Sequence, residues 1–344
     1  MRKGYRVLAF CAAILLVPLI AGIARSALLI NGAGSTFAYP INSKWFDEYA
    51  RVDPSVNFNY QSIGSGGGIS MLRNKSVDFG GSDAPLNDTQ MAGMPGPVLH
   101  FPSVMGADVV AYNLPNVKQK LRFTGPVIAD IFLGNISKWT DPAITKLNPG
   151  VAFPDEPIVT VHRSDGSGTT FIFADYLSKV SPAWAKEVGK GTSLKWPVGL
   201  GGKGNEGVTG IIQQTPNSIG YNELTYSLAN KITFAEIQNR AGNYVDATLA
   251  GVTAAAAGAA ANMPADFRVS ITDAPGADSY PISSFTWLLV YKNQSDKEKG
   301  AAIVKFLKWA LTDGQKYAAP LFYAPLPQAV VDKELQQINQ ISVP

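Results

Sequence analysis

Two hydrophobic periods alternate along the chain. Short β-branched or apolar runs at Leu28–Ile30, Asn57–Gln61, Val77–Gly80, Val104–Tyr112, Ile158–His162, Ser218–Tyr221 and Phe285–Val290 read as strands. Between them apolar residues return at helical spacing: Ile41, Trp45 and Tyr49; Ile69 and Leu72; Val127 to Phe132; Phe171, Ala174 and Leu177; Val208 to Ile212; and Ala301 to Leu311. Residues 251–262 are Ala-rich and helical by propensity. Strand followed by helix, repeated, predicts an α/β protein with mostly parallel sheets and helices on their faces. Ligands of such sheets sit beyond the strand C-termini, where the helices begin.

Three of these strand-to-helix turns share one chemistry. Asn31–Gly32–Ala33–Gly34–Ser35–Thr36–Phe37 follows the first strand, Ser62–Ile63–Gly64–Ser65–Gly66–Gly67–Gly68 the second, and Arg163–Ser164–Asp165–Gly166–Ser167–Gly168–Thr169–Thr170 the strand ending at His162. Glycine lets the backbone approach closely, Ser167 is suited to cap a helix, and Pro40 fits the first turn of another. Free N–H groups at a helix start form an anion site, to which hydroxyls add neutral donors and Arg163 a charged fork. Ile63 and Ile69 flank the three glycines and predict a packed turn. Taken alone, each turn is equally readable as an ordinary capped helix start.

Asp83, in Gly80–Gly81–Ser82–Asp83–Ala84–Pro85, either caps the segment after Pro85 or faces the same anion. In the second case its ionised carboxylate accepts hydrogen bonds and donates none, so the anion must carry a proton. Phosphate does and sulfate at neutral pH does not; an acceptor left facing an unprotonated anion costs roughly a few decades of affinity. Asp165 is placed to pair with Arg163 and hold it.

Length and composition narrow the alternatives. A chain of 344 residues suggests two domains of ordinary size. Arg2, Lys3 and Arg6 precede an uncharged run from Val7 to Ile20, and Ala24–Arg25–Ser26–Ala27 offers small residues for cleavage, the layout of a secretory signal peptide over 1–26. Phe10 is too bulky for a lipoprotein site at Cys11, which is the only cysteine, so the mature chain has neither disulfide nor thiol chemistry. Setting aside the four basic residues of 1–26 turns the formal charge of +3 into about −1, which gives no case for nucleic-acid binding.

Catalytic and cofactor readings are weak. The only histidines are His100 and His162, and a strand turns His162 away from Arg163. No nucleophile elbow and no Cys/His cluster for a metal exists, which argues against a secreted phosphatase. Gly202–Lys203 is followed by Gly204 and preceded by Pro197 where a Walker loop needs Gly, and Ile69 replaces the third Gly of a dinucleotide fingerprint. No cofactor is expected.

Together the Gly32–Phe37, Ser62–Gly67, Val77–Leu86 and Arg163–Thr169 stretches, with Lys195–Asn205, closely resemble the periplasmic phosphate-binding proteins of bacterial ABC phosphate transporters over about residues 27–344. The resemblance implies a two-lobed periplasmic binding protein fold of type II-like α/β architecture, with parallel-rich sheets flanked by helices and the ligand in the interlobe cleft. Residues 27–104 and 284–344 would form lobe I and 105–283 lobe II, with hinges near Val104 and Ser283. It implies a phosphate shell of Thr36, Phe37 (through its N–H), Ser65, Asp83, Arg163, Ser167, Gly168 and Thr169, with Asp165 behind Arg163. It further implies a monomeric, non-enzymatic carrier that delivers inorganic phosphate to membrane permease subunits; a carrier of sulfate or molybdate is the alternative. The chain departs from the common pattern at Gly66 (often Ser), Ser35 (often Ala) and His162 (often basic), none of which removes a ligand.

Overall fold

The computed structural model describes residues 26–344, so the expected signal peptide lies outside the described residues apart from Ser26. The strands are β1 (Leu28–Gly34), β2 (Val56–Ser62), β3 (Phe79–Ser82), β4 (Val98–Asn113), β5 (Arg122–Phe123), β6 (Val159–Arg163), β7 (Leu200–Gly202), β8 (Ser218–Glu223), β9 (Thr233–Phe234), β10 (Glu236–Gln238), β11 (Tyr244–Val245) and β12 (Ser283–Tyr291). The helices are α1 (Tyr39–Val52), α2 (Ser65–Arg73), α3 (Asp88–Ala92), α4 (Gly125–Leu133), α5 (Pro142–Thr145), α6 (Gly168–Val180), α7 (Pro182–Glu187), α8 (Gly204–Gln214), α9 (Leu224–Ala229), α10 (Leu249–Ala261), α11 (Lys297–Leu311) and α12 (Gln328–Ile338).

One long sheet runs β2-β1-β3-β12-β4-β8-β6-β7, with β9 on β4. Its two wings are parallel: β1 pairs with β2 and β3, and β6 pairs with β7 and β8. Its middle is antiparallel, through β3–β12, β12–β4 and β4–β8. The expectation of parallel sheets therefore holds for the wings and fails at the centre. β4 changes partner partway: Ala107 faces Ser283 of β12, whereas the next residue, Asp108, faces Glu223 of β8. β4 also starts earlier than the pattern predicted. Pro102 weakens a strand reading there, and the sheet accommodates it beside a register shift that leaves Ser103 as an extra residue opposite Thr286 and Trp287.

The helices close over the wings. Ile41, Trp45, Phe46 and Tyr49 are the buried stripe of α1, and Trp45 Nε1 donates to the carbonyl of Gly314 at 2.8 Å. Trp45, Trp139, Trp184 and Trp287 are all fully enclosed; burying a side chain of this kind contributes on the order of 2–3 kcal/mol. Among the described residues, no helix is long and apolar enough to cross a membrane.

Candidate functional site

Four strand-to-helix turns meet at one place, two from each parallel wing. In the first wing β1 leads to α1 and β2 to α2; in the second β6 leads to α6 and β7 to α8. The three glycines Gly66–Gly68 are not a turn but opening residues of α2, and the tight turn before them is Ile63–Gly64. Gly64 has φ of 84°, a conformation that suits glycine, and its N–H and that of Ile63 both donate to the carbonyl of Gly34. Gly66 N donates across to the carbonyl of Gly166 at 2.8 Å, so the α2 and α6 turns touch directly. Gly68 lies flat on the backbone of Ala33 and Gly34. Ser167 caps α6 as expected, its Oγ accepting from the N–H of Thr170 at 3.0 Å.

Asp83 does not cap the segment after Pro85; Asn87 does so, in a capping box with Gln90. Asp83 is instead 1% exposed, at the end of β3. Its Oδ1 accepts from Ser35 Oγ at 2.5 Å and Thr286 Oγ1 at 2.6 Å, and its Oδ2 from Ser65 Oγ at 3.3 Å. Burial pushes the Asp83 carboxyl up from its ordinary range, against the opposing pull of these hydroxyls and of the Arg163 charge. The α6 start abuts it: a Cβ on Gly168 would lie 2.6 Å from the Asp83 Cβ.

Arg163 closes the other side. Its Nε donates to Asp165 Oδ1 at 2.8 Å and its Nη2 to Asp165 Oδ2 at 2.6 Å, a two-pronged pairing that fixes the plane of the guanidinium. Burial tends to raise the Asp165 carboxyl, but the Arg163 hydrogen bonds and charge and the N–H of Gly204 overcome it and hold it below its usual range. The remaining Nη1 of Arg163 donates to Thr169 Oγ1 at 3.2 Å. His162 points the opposite way, stacked on Trp196 with ring centroids 4.7 Å apart.

Thr36 and Phe37 lie in the turn just before α1, both buried. Tyr226 Oη donates to the carbonyl of Thr36 and Tyr323 Oη to that of Phe37, each at 2.6 Å, which pins the two peptide units. Thus Thr36, Phe37, Ser65, Asp83, Arg163, Ser167, Gly168 and Thr169 all fall in the buried zone where the four turns meet, with Asp165 partly exposed at its edge. The sequence reading missed Thr286, which comes from β12 without any local motif, and gave no role to Asn205. Asn205 had a signal: the Gly199–Gly207 run is a fourth glycine turn opening a helix. The set is one of N–H groups, hydroxyls and a guanidinium around one carboxylate, Asp83, that no cation among the described residues engages directly; the other, Asp165, is taken up by Arg163. Such a set suits a small protonated oxyanion. Among the described residues, no group of three or more His, Cys, Asp or Glu could hold a metal ion.

Two wings of βα turns closing on a buried donor-rich site define an α/β substrate-binding protein. In agreement, the PBP superfamily domain matches residues 21–313. The phosphate-binding protein PstS of Xylella fastidiosa (strain 9a5c) is 47% identical over 305 residues, covering 88% of this chain and 82% of that one. The PstS of Pasteurella multocida is 43% identical over 312 residues, covering 90% of each. The fold is shared with a phosphate-binding protein from Stenotrophomonas maltophilia at a TM-score of 0.66, with 18% identity over 90% of this chain and 94% of that one. A high-affinity periplasmic phosphate-binding protein (PfluDING) solved with phosphate gives a TM-score of 0.72 and 19% identity over 92% of this chain and all of that one. The chain belongs to the PBP superfamily and, within it, to the family of phosphate-binding proteins named PstS.

Proposed function

We propose that the chain captures inorganic phosphate outside the cytoplasm and hands it to the permease subunits of an ABC importer. Cleavage of residues 1–26 would release it as a soluble periplasmic monomer that carries phosphate without transforming it. Thr36, Ser65, Ser167 and Thr169 would offer hydroxyls, the N–H groups of Phe37 and Gly168 would add backbone donors, and Arg163, held by Asp165, would balance charge. Asp83 would accept the ligand's own proton. Residues 27–104 with 284–344 would form one lobe and 105–283 the other. The change of partner along β4 between Ala107 and Asp108 supports that division. Because each lobe supplies part of the shell, phosphate would favour the closed arrangement.

The observation that carries this reading is the single carboxylate of Asp83 buried among donors from both wings. Donors on every side would also exclude phosphate esters, whose substituent has nowhere to go. The test is calorimetric titration of the mature chain, unfolded and refolded to strip carried-over ligand, with inorganic phosphate and with a phosphate monoester. Tight one-to-one binding of phosphate alone is expected; no phosphate binding would reject the proposal.

A further inference from the structure

The two threonines of the site are tied together by one amide. Asn205, the second residue of α8, is fully buried, and its Oδ1 accepts the N–H of Glu223 at 3.0 Å. A peptide N–H only donates, so this contact assigns the amide and leaves Nδ2, a pure donor, on the side of the site. Nδ2 donates to Thr36 Oγ1 at 2.8 Å and to Thr169 Oγ1 at 3.0 Å. The N–H of Asn205 reaches Thr36 Oγ1 at 3.2 Å, and Arg163 Nη1 reaches Thr169 Oγ1 at the same distance.

A hydroxyl oxygen has two lone pairs and one proton. On Thr36 both lone pairs face donors of Asn205; on Thr169 one faces Asn205 and the other faces Arg163. Each hydroxyl can then only give its proton away. We infer that Asn205 is a positioning residue that turns the hydroxyls of Thr36 and Thr169 into obligate donors towards the bound anion. Free hydroxyls could rotate and accept a P–OH; these cannot, so the ligand's proton is directed to Asp83. The same amide joins the turn before α1 to the starts of α6 and α8, and so makes the polarity of the Thr36 hydroxyl conditional on closure, while that of Thr169 is set within its own wing. This deepens the phosphate-binding reading and rests on it.

The experiment is a double-mutant cycle read by phosphate titration of the refolded mature chain, with melting temperature followed alongside. Asn205→Ala and Thr36→Val should each raise Kd by about 10- to 100-fold, and Thr36→Val should add less than about threefold once Asn205 is gone. Asn205→Asp is the control for folding, because its carboxylate still accepts the Glu223 N–H. Its oxygens would draw the threonine protons away from the ligand. Phosphate binding should therefore fall at least about 100-fold at an unchanged melting temperature, and Thr36→Val should again cost little in that background. Wild-type-like binding by Asn205→Asp, or additive effects of Asn205→Ala and Thr36→Val, would overturn the inference while leaving the phosphate reading intact. Absence of phosphate binding by the unaltered chain would overturn that reading and the inference with it.

Discussion

At the scale of single residues, the behaviour of the site turns on where one proton sits. Asp83 is buried beside a guanidinium, yet burial still moves its carboxyl upward in pH. Two donors occupy Oδ1 and only the long contact from Ser65 Oγ reaches Oδ2, so the remaining valence is on Oδ2, against the start of α6. On the proposed reading, phosphate would bring its own proton to that oxygen in either of its neutral-pH forms. Sulfate does not, and could bind only if Asp83 itself took up a proton. Above the folded-state pKa of Asp83, each rise of one pH unit lowers the protonated fraction tenfold. Sulfate affinity should therefore fall about tenfold per pH unit on the alkaline side of that pKa, with one proton taken up per sulfate bound. Titrations across pH in two buffers of different ionisation heat check both the slope and the proton count. A flat sulfate profile would contradict the assignment.

At the scale of elements, the determinant is how closely the turns approach. Gly168 and Asp83 come from opposite wings and leave no room between them for a methyl group. Gly168→Ala should leave each wing folded, because residue 168 begins α6 without a left-handed backbone, but it should prevent the turns from meeting. Phosphate affinity should drop at least about 100-fold, with the melting temperature of the ligand-free chain changed by no more than a few degrees. This scale was also the most legible in the sequence. Glycine and hydroxyl residues between a strand and a helix have a local physical reason, so the turns carrying Thr36, Ser65 and Ser167 could be read without a structure. Thr286 could not, because it touches Asp83 across 203 residues of chain and sits in a strand with no motif of its own. The direction of the central strands was hidden for a related reason. β4 and β12 are almost wholly buried, and a strand enclosed on both faces shows no alternation that would tell a parallel neighbour from an antiparallel one.

At the scale of the whole molecule, closure is what makes the site. No single wing contains both Asp83 and Arg163, and the contacts that join the wings are specific. They include Gly66 to Gly166 and Asn205 to Thr36. Behind the site, where β4 changes partner, Asp108 and Glu223 face each other across the strands, and burial pushes both carboxyls well above their ordinary range. Two carboxyl groups held towards neutrality there avoid placing adjacent negative charges beneath an anion site. Donors all round and one acceptor with a remaining valence are what the proposed selection of phosphate over sulfate would rest on. The most direct test is calorimetry on the refolded mature chain and its Asp83→Asn variant, titrated side by side with phosphate and sulfate at mildly alkaline pH. Tight phosphate binding and no sulfate heat are expected for the unaltered chain, and for Asp83→Asn, whose amide can offer an N–H to either ion, a preference reduced by about two decades or more. Equal binding of both ions by the unaltered chain, or an undiminished preference in Asp83→Asn, would contradict the proposed selection.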